Sequence, residues 1–75
     1  MEFRMNAPVK KFRNGAISVD IWQNSNEKGN FYSFSIQKVY KNDKDEWATT
    51  NNFSPVDGLK LSHLLKLAND WVVQQ

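Results

Sequence analysis

The stretch KKFRNGAISVDIW, residues 10–22, decides the reading of this chain. Its second half alternates. Ile17, Val19 and Ile21 fall on one side of an extended backbone; Ser18, Asp20 and Trp22 fall on the other. A period of two predicts a strand over Ala16–Trp22 with one face buried and one wet. Asn14-Gly15 is a strong turn signal, since both residues tolerate positive φ. A two-residue turn there pairs Phe12 with Ile17 and Lys10 with Val19, and sets Lys11 and Arg13 on the face of Ala16 and Ser18. The hairpin thus folds a basic cluster back along the polar face. On that face stands the tryptophan, the largest side chain of the stretch.

Downstream, QNSNEKGN (residues 23–30) is polar, with a glycine near its end, and reads as an exposed hairpin loop. Phe31–Lys41 reads as the second strand. Tyr32, Phe34 and Ile36 take the core parity; Ser33, Ser35 and Gln37 take the wet one. The alternation degrades after Gln37, with Lys38 at a core parity and Val39 at a wet one, so a curl or bulge is expected there. Asn42–Glu46 is a charged turn, and Trp47–Phe53, rich in Thr and aromatics, is a third strand. Pro55 then breaks the sheet. Asp57 is the expected N-cap of a helix running to about Val73. Leu61, Leu64, Leu65, Ala68 and Val72 form its core stripe. Leu67 and Trp71 widen that stripe into an apolar shoulder, which either a second copy or the N-terminal arm covers.

The expected fold class is α+β: a small curved antiparallel sheet of three to four strands followed by one C-terminal amphipathic helix, dimeric through Leu64, Leu67 and Trp71. Residues 1–9 are expected to form a partly ordered arm and residues 10–75 the single domain. A chain of 75 residues is marginally stable without a staple, and the ten aromatics help to fill its core. With no cysteine, disulfides and thiolate metal sites are excluded. No apolar run approaches the roughly 20 residues that span a bilayer. The expectation is a soluble, intracellular, cytoplasmic protein.

The chemistry of catalysis is sparse. His63 is the only histidine and is expected on the solvent side of the helix. Asp43-x-Asp45 resembles the start of a calcium loop, but the glycine and the closing acid that such a loop needs are missing. The three glycines are too dispersed for a phosphate loop. No enzyme, metal or cofactor is expected. Charge is uneven instead. Residues 1–41 carry seven Lys/Arg against three acids, a net of +4; residues 42–75 carry three against five, a net of −2. Such asymmetry steers a polyanion to one side. Basic side chains interleaved with aromatics are what a single-strand binder needs, because every base has a π-face and every linkage a charge.

The residues from Phe12 to Val73 resemble the positive-cofactor-four family of transcriptional coactivators, whose fold the Whirly proteins elaborate. The likeness runs through Phe12-x-x-Gly15, Ile17-Ser18-Val19-Asp20-Ile21-Trp22, Phe34-Ser35-Ile36-Gln37-Lys38-Val39-Tyr40 with its charged turn, and the capped entry Phe53–Asp57. A Phe-Arg-x-Gly start, an Ile-Trp-x-Asn strand end and a Trp-x-x-Thr third strand are also similar to those of small microbial or viral proteins. The family resemblance implies dimerisation through the helices and single-stranded DNA bound on the curved sheets, with Trp22 and Tyr40 as base-stacking positions. The chain departs from the family at Gln37 and at Thr49, Thr50 and Asn51, where the family carries basic residues. Together with the charge pattern, the expectation is non-enzymatic binding of single-stranded nucleic acid, DNA favoured, with low sequence specificity. Lys10, Lys11, Arg13, Lys38 and Lys41 would meet phosphates, and Trp22 and Tyr40 bases. The alternative is a protein-interaction module working through the helix shoulder.

Overall fold

Every strand of the sheet is antiparallel to its neighbours, and one strand is central. The structure, a computed structural model, describes residues 3–4 and 7–75, with side chains from residue 7 onward. The order is β1 (Phe3–Arg4), β2 (Lys10–Asn14), β3 (Ile17–Asn26), β4 (Gly29–Lys41), β5 (Trp47–Thr50) and α1 (Pro55–Val73). β1 and β2 share one side of β3, β4 takes the other, and β5 pairs the far end of β4. The α+β class and the C-terminal helix are as the sequence implied. Of the proposed N-terminal arm, residues 1, 2, 5 and 6 lie outside the described residues.

The first hairpin turns one residue later than expected. Asn14 pairs with Ile17, so Gly15 and Ala16 make the turn, and Phe12 faces Val19 rather than Ile17. Gly15 takes φ +63° while Ala16 does not enter the left-handed region. A single positive φ in the first central position suits Gly-X better than Asn-Gly. The one-residue move of the turn changes the pairing by two, so every side chain keeps its expected face.

The polar stretch 23–30 is ladder, not loop. β3 runs to Asn26 and β4 begins at Gly29, leaving only Glu27 and Lys28 to turn. The Asn26 carboxamide oxygen accepts from the Lys28 amide at 2.8 Å, an Asx turn that needs only two residues. Polar composition hid the strand because cross-strand pairing is a backbone property. No bulge appears near Lys38: the register is continuous from Asn26↔Gly29 to Ile17↔Lys38 and into Lys38↔Thr50. β5 stops at Thr50, short of the expected Phe53.

The helix begins earlier than expected. Ser54 is the N-cap, Pro55 stands at the first position, and Asp57 is the third residue, reaching back to the Ser54 amide at 2.9 Å. This is the carboxylate arm of a capping box. Lys38 Nζ lies 2.6 Å from the same carboxylate oxygen, Asp57 Oδ2, and Trp71 meets Tyr32 edge to face with centroids 5.8 Å apart. These two contacts lay α1 antiparallel to β4. The fourteen-residue step from Asp57 to Trp71 rises about 21 Å along the helix, matching about 20 Å for Tyr32 to Lys38 along the strand.

The core is β3 against α1. Ile17, Val19 and Ile21 are at most 1% exposed, and Leu64 and Ala68 at most 2%. Burying each large aliphatic contributes about 1.5–3 kcal/mol. Phe12, Tyr32, Ile36, Leu61, Leu65, Leu67, Trp71 and Val72 pack around it. The apolar shoulder is therefore used inside the chain: Leu67 joins this shell and Trp71 rests on Tyr32. Leu64, expected at a dimer interface, is in the chain's own core. Phe34 has the core parity but is 40% exposed, because α1 lies over β2 and β3 and leaves the outer flank of β4 open. No helix among the described residues is long and apolar enough to cross a membrane.

Candidate functional site

Register divides the expected site residues between two faces. Directly paired residues in an antiparallel ladder share a face. Lys11 pairs Asp20, Arg13 pairs Ser18, Trp22 pairs Ser33, and Lys41 pairs Trp47. Lys11, Arg13, Trp22 and Lys41 therefore stand on the polar face, away from the helix. Lys10 pairs the core residue Ile21, and Tyr40 and Lys38 continue the parity of Ile36. These three stand on the helix side, so Trp22 and Tyr40 do not share a surface. A common surface would need a bulge in β4 to swap the parity of Tyr40, and the register of β4 has none.

Lys38 has a structural partner. Its ammonium and the Ser54 amide hold the Asp57 carboxyl well below its ordinary value of 3.8, to about 2; the Lys38 hydrogen bond is the largest cause and desolvation opposes it. The pair ties β4 to the first turn of α1, and its positive charge is already balanced. Lys10 is exposed at the edge, 5.4 Å from the Phe12 ring centroid. Tyr40 lies past the start of the helix, 42% exposed. His63 is exposed, as its wheel position implied.

The polar face is a hydrogen-bonded surface over the central strand. Trp22 Nε1 donates to Ser35 Oγ at 2.8 Å, and Asn24 Nδ2 donates to Ser33 Oγ at 2.8 Å. Trp22 stands on this face because its indole N–H finds an acceptor there, which the buried aliphatic face does not offer. Ser18, Asp20 and Asn24 are each only 8% exposed, although alternation implied a wet face for Ser18 and Asp20, and Asn24 was expected in an exposed loop. A strand with neighbours on both sides is shielded on both its faces. Asp20 Oδ1 has no hydrogen-bond partner among the described residues, and Lys11 Nζ stands 3.9 Å from it.

The exposed aromatics of this face are ones the sequence reading missed. Trp47 is 70% exposed, with the Lys41 ammonium 5.4 Å from its ring centroid. Phe31, paired with Asn24, is 36% exposed on the same face. The signal for Trp47 was present in register: Lys41 is odd-numbered like Ser33 and Ser35, and its cross-strand partner must share its side. That inference needed the turn length between β4 and β5. Asn42 sets it, its carboxamide oxygen accepting from the Lys44 and Glu46 amides at 2.9 and 3.0 Å while Asp45 takes φ +61°.

Lys11, Arg13 and Lys41 are thus exposed cations on the aromatic-bearing face. Their own contacts are weak or local: Lys41 Nζ is 3.4 Å from Asp45, and Arg13 Nε donates to the Gly15 carbonyl at 2.9 Å. Exposed ion pairs contribute at most about 1 kcal/mol, so a phosphate can compete for them. Among the described residues no group of three or more His, Asp or Glu side chains is placed to hold a metal ion. Comparison with known proteins finds no family model, no curated relative and no solved structure that matches the chain.

Proposed function

We propose that this chain binds single-stranded nucleic acid without catalysing a reaction, along the polar face of the sheet and with little sequence preference. The observation that carries the reading is Trp47, 70% exposed beside the Lys41 ammonium: a stacking platform and a charge at one place. Phe31 offers a second ring on that face, and Lys11 and Arg13 a second pair of cations. A backbone tracked by cations with bases laid on aromatic rings is the physical basis of sequence-tolerant single-strand binding. Phosphate contacts fall to Lys11, Arg13 and Lys41; stacking falls to Trp47 and Phe31, with Trp22 between them as part of the floor. The resemblance of Phe12–Val73 to the positive-cofactor-four family favours DNA and a role in transcription or replication. A second copy of the chain is the other proposed partner.

Fluorescence anisotropy of a labelled single strand, titrated at low and at physiological salt against the matching duplex, tests this. Preferential single-strand binding that weakens with salt is expected. Absence of binding at low salt refutes it.

A further inference from the structure

Independently of nucleic acid, we propose that β4 carries a self-pairing edge: Gly29–Gln37 of one chain pairs antiparallel with the same segment of a second copy, making one continuous sheet across a two-fold dimer. β5 covers the outer side of β4 only at Lys38–Lys41. Residues 29–37 are paired with β3 on their inner side, and no described residue pairs them on the outer side. β1 lies across β3, away from this edge.

Parity identifies the free groups. The Val39 amide donates inward to the Ala16 carbonyl, so in an unbulged antiparallel strand the odd-numbered residues of β4 point their backbone groups toward β3. Asn30, Tyr32, Phe34 and Ile36 then present N–H and C=O outward. Proteins that keep such an edge monomeric blunt it with Lys, Pro, a bulge or a covering loop. GNFYSFSIQ has no charged residue and no proline, in a chain that is 24% charged, and its register has no bulge.

The same features select the occupant. Two identical uncharged strands meet without like charges in opposition, and antiparallel pairing about a two-fold uses one patch on both copies. The pairing consumes the edge it uses, so assembly stops at two. It also sets the 40%-exposed Phe34 opposite Tyr32 and diagonal to Phe34 of the other copy on the helix side. The helix flank is the weaker candidate, since Leu64 is buried and Trp71 already rests on Tyr32.

Sedimentation equilibrium over a concentration series, without nucleic acid, tests the proposal. The wild-type chain is expected at twice the chain mass. Phe34→Pro removes one outward N–H without removing a bond to β3, and Phe34→Lys adds a charge while keeping the backbone intact. Both are expected to raise the dimer dissociation constant at least about tenfold with the far-ultraviolet spectrum unchanged, whereas Leu59→Lys on the exposed back of the helix leaves it unaltered. If Phe34→Pro does not fold, Phe34→Lys alone decides. A monomer throughout, a species larger than a dimer, or a dimer indifferent to a folded Phe34 variant overturns the proposal.

Discussion

Replacing Lys11 and Arg13 together by glutamine should change how salt acts on single-strand binding, as well as its strength. Each phosphate contact on a single strand contributes a slope of about −0.7 to log K against log salt. Three cations, Lys11, Arg13 and Lys41, stand on the polar face, and together they give a slope of about −2. Raising salt from about 50 to 200 mM, a factor of about four, should then weaken the wild-type chain about eighteenfold. The double variant keeps Lys41 alone, so its slope is about −0.7 and the same change weakens it only about 2.6-fold. Neither substitution touches the core. Lys11 is 54% exposed at its side chain, and its 3.9 Å approach to Asp20 is too long for a hydrogen bond. Circular dichroism should confirm an unchanged fold before the titration. Anisotropy at four or more salt concentrations gives the slope. A double variant with the wild-type slope would refute the placement of the nucleic acid on this face.

The two faces separate in a second pair of variants: Trp47→Ala should weaken single-strand binding by about 1–3 kcal/mol, while Tyr40→Ala, on the helix side, should leave it within about twofold. Equal losses in the same anisotropy assay would return Tyr40 to the site. Asp57 titrates at about 2 in the folded chain against 3.8 ordinarily, so its contribution to stability is full above about pH 4 and is lost as pH falls toward 2. Urea melts across that range should show the loss, and Asp57→Asn should flatten this part of the profile while lowering stability at neutral pH. Trp71→Ala should destabilise the chain by about 2–4 kcal/mol, since the ring is part of the core shell; a thermal melt unmoved by the change would mean that the shoulder is not held from within. Gly58 is an exposed helical glycine whose added Cβ meets nothing, whereas Gly15 sits at φ +63°. Gly58→Ala should therefore stabilise by about 0.5–1 kcal/mol and Gly15→Ala destabilise by about 1–2, both read from urea midpoints.

Ile17, Val19 and Ile21 show how far a sequence reaches. Their alternation identified a strand and its buried side, and the spacing of Leu61, Leu64, Leu65, Ala68 and Val72 identified the amphipathic helix; that the strand is central came from the pairing. Local periodicity is written in the chain because a side chain's direction follows from backbone geometry alone. Turn chemistry was legible to within one residue, since Asn14, Gly15 and Ala16 all stand at the bend and only the φ values choose between them. The polar strand 23–30 was not legible, because ladder hydrogen bonds are made by the backbone and need no apolar side chain.

The site was harder to read than the fold. Lys11, Arg13 and Trp22 share a face by the parity of the first hairpin, which the sequence by itself determined; Lys41 joins them only because the register of β4 runs unbroken to its end. Tertiary structure alone decided that Lys38 is bound to Asp57, nineteen residues away, and that Leu67 and Trp71 are packed against their own sheet. It also decided that Trp47, across a turn from Lys41, is the exposed ring. The first two depend on which residues from distant parts of the chain come into contact, and the last on the length of the turn between β4 and β5. The reach of α1 over β2 and β3 settles the long-range contacts, covering one part of the sheet and leaving the flank and edge of β4 open.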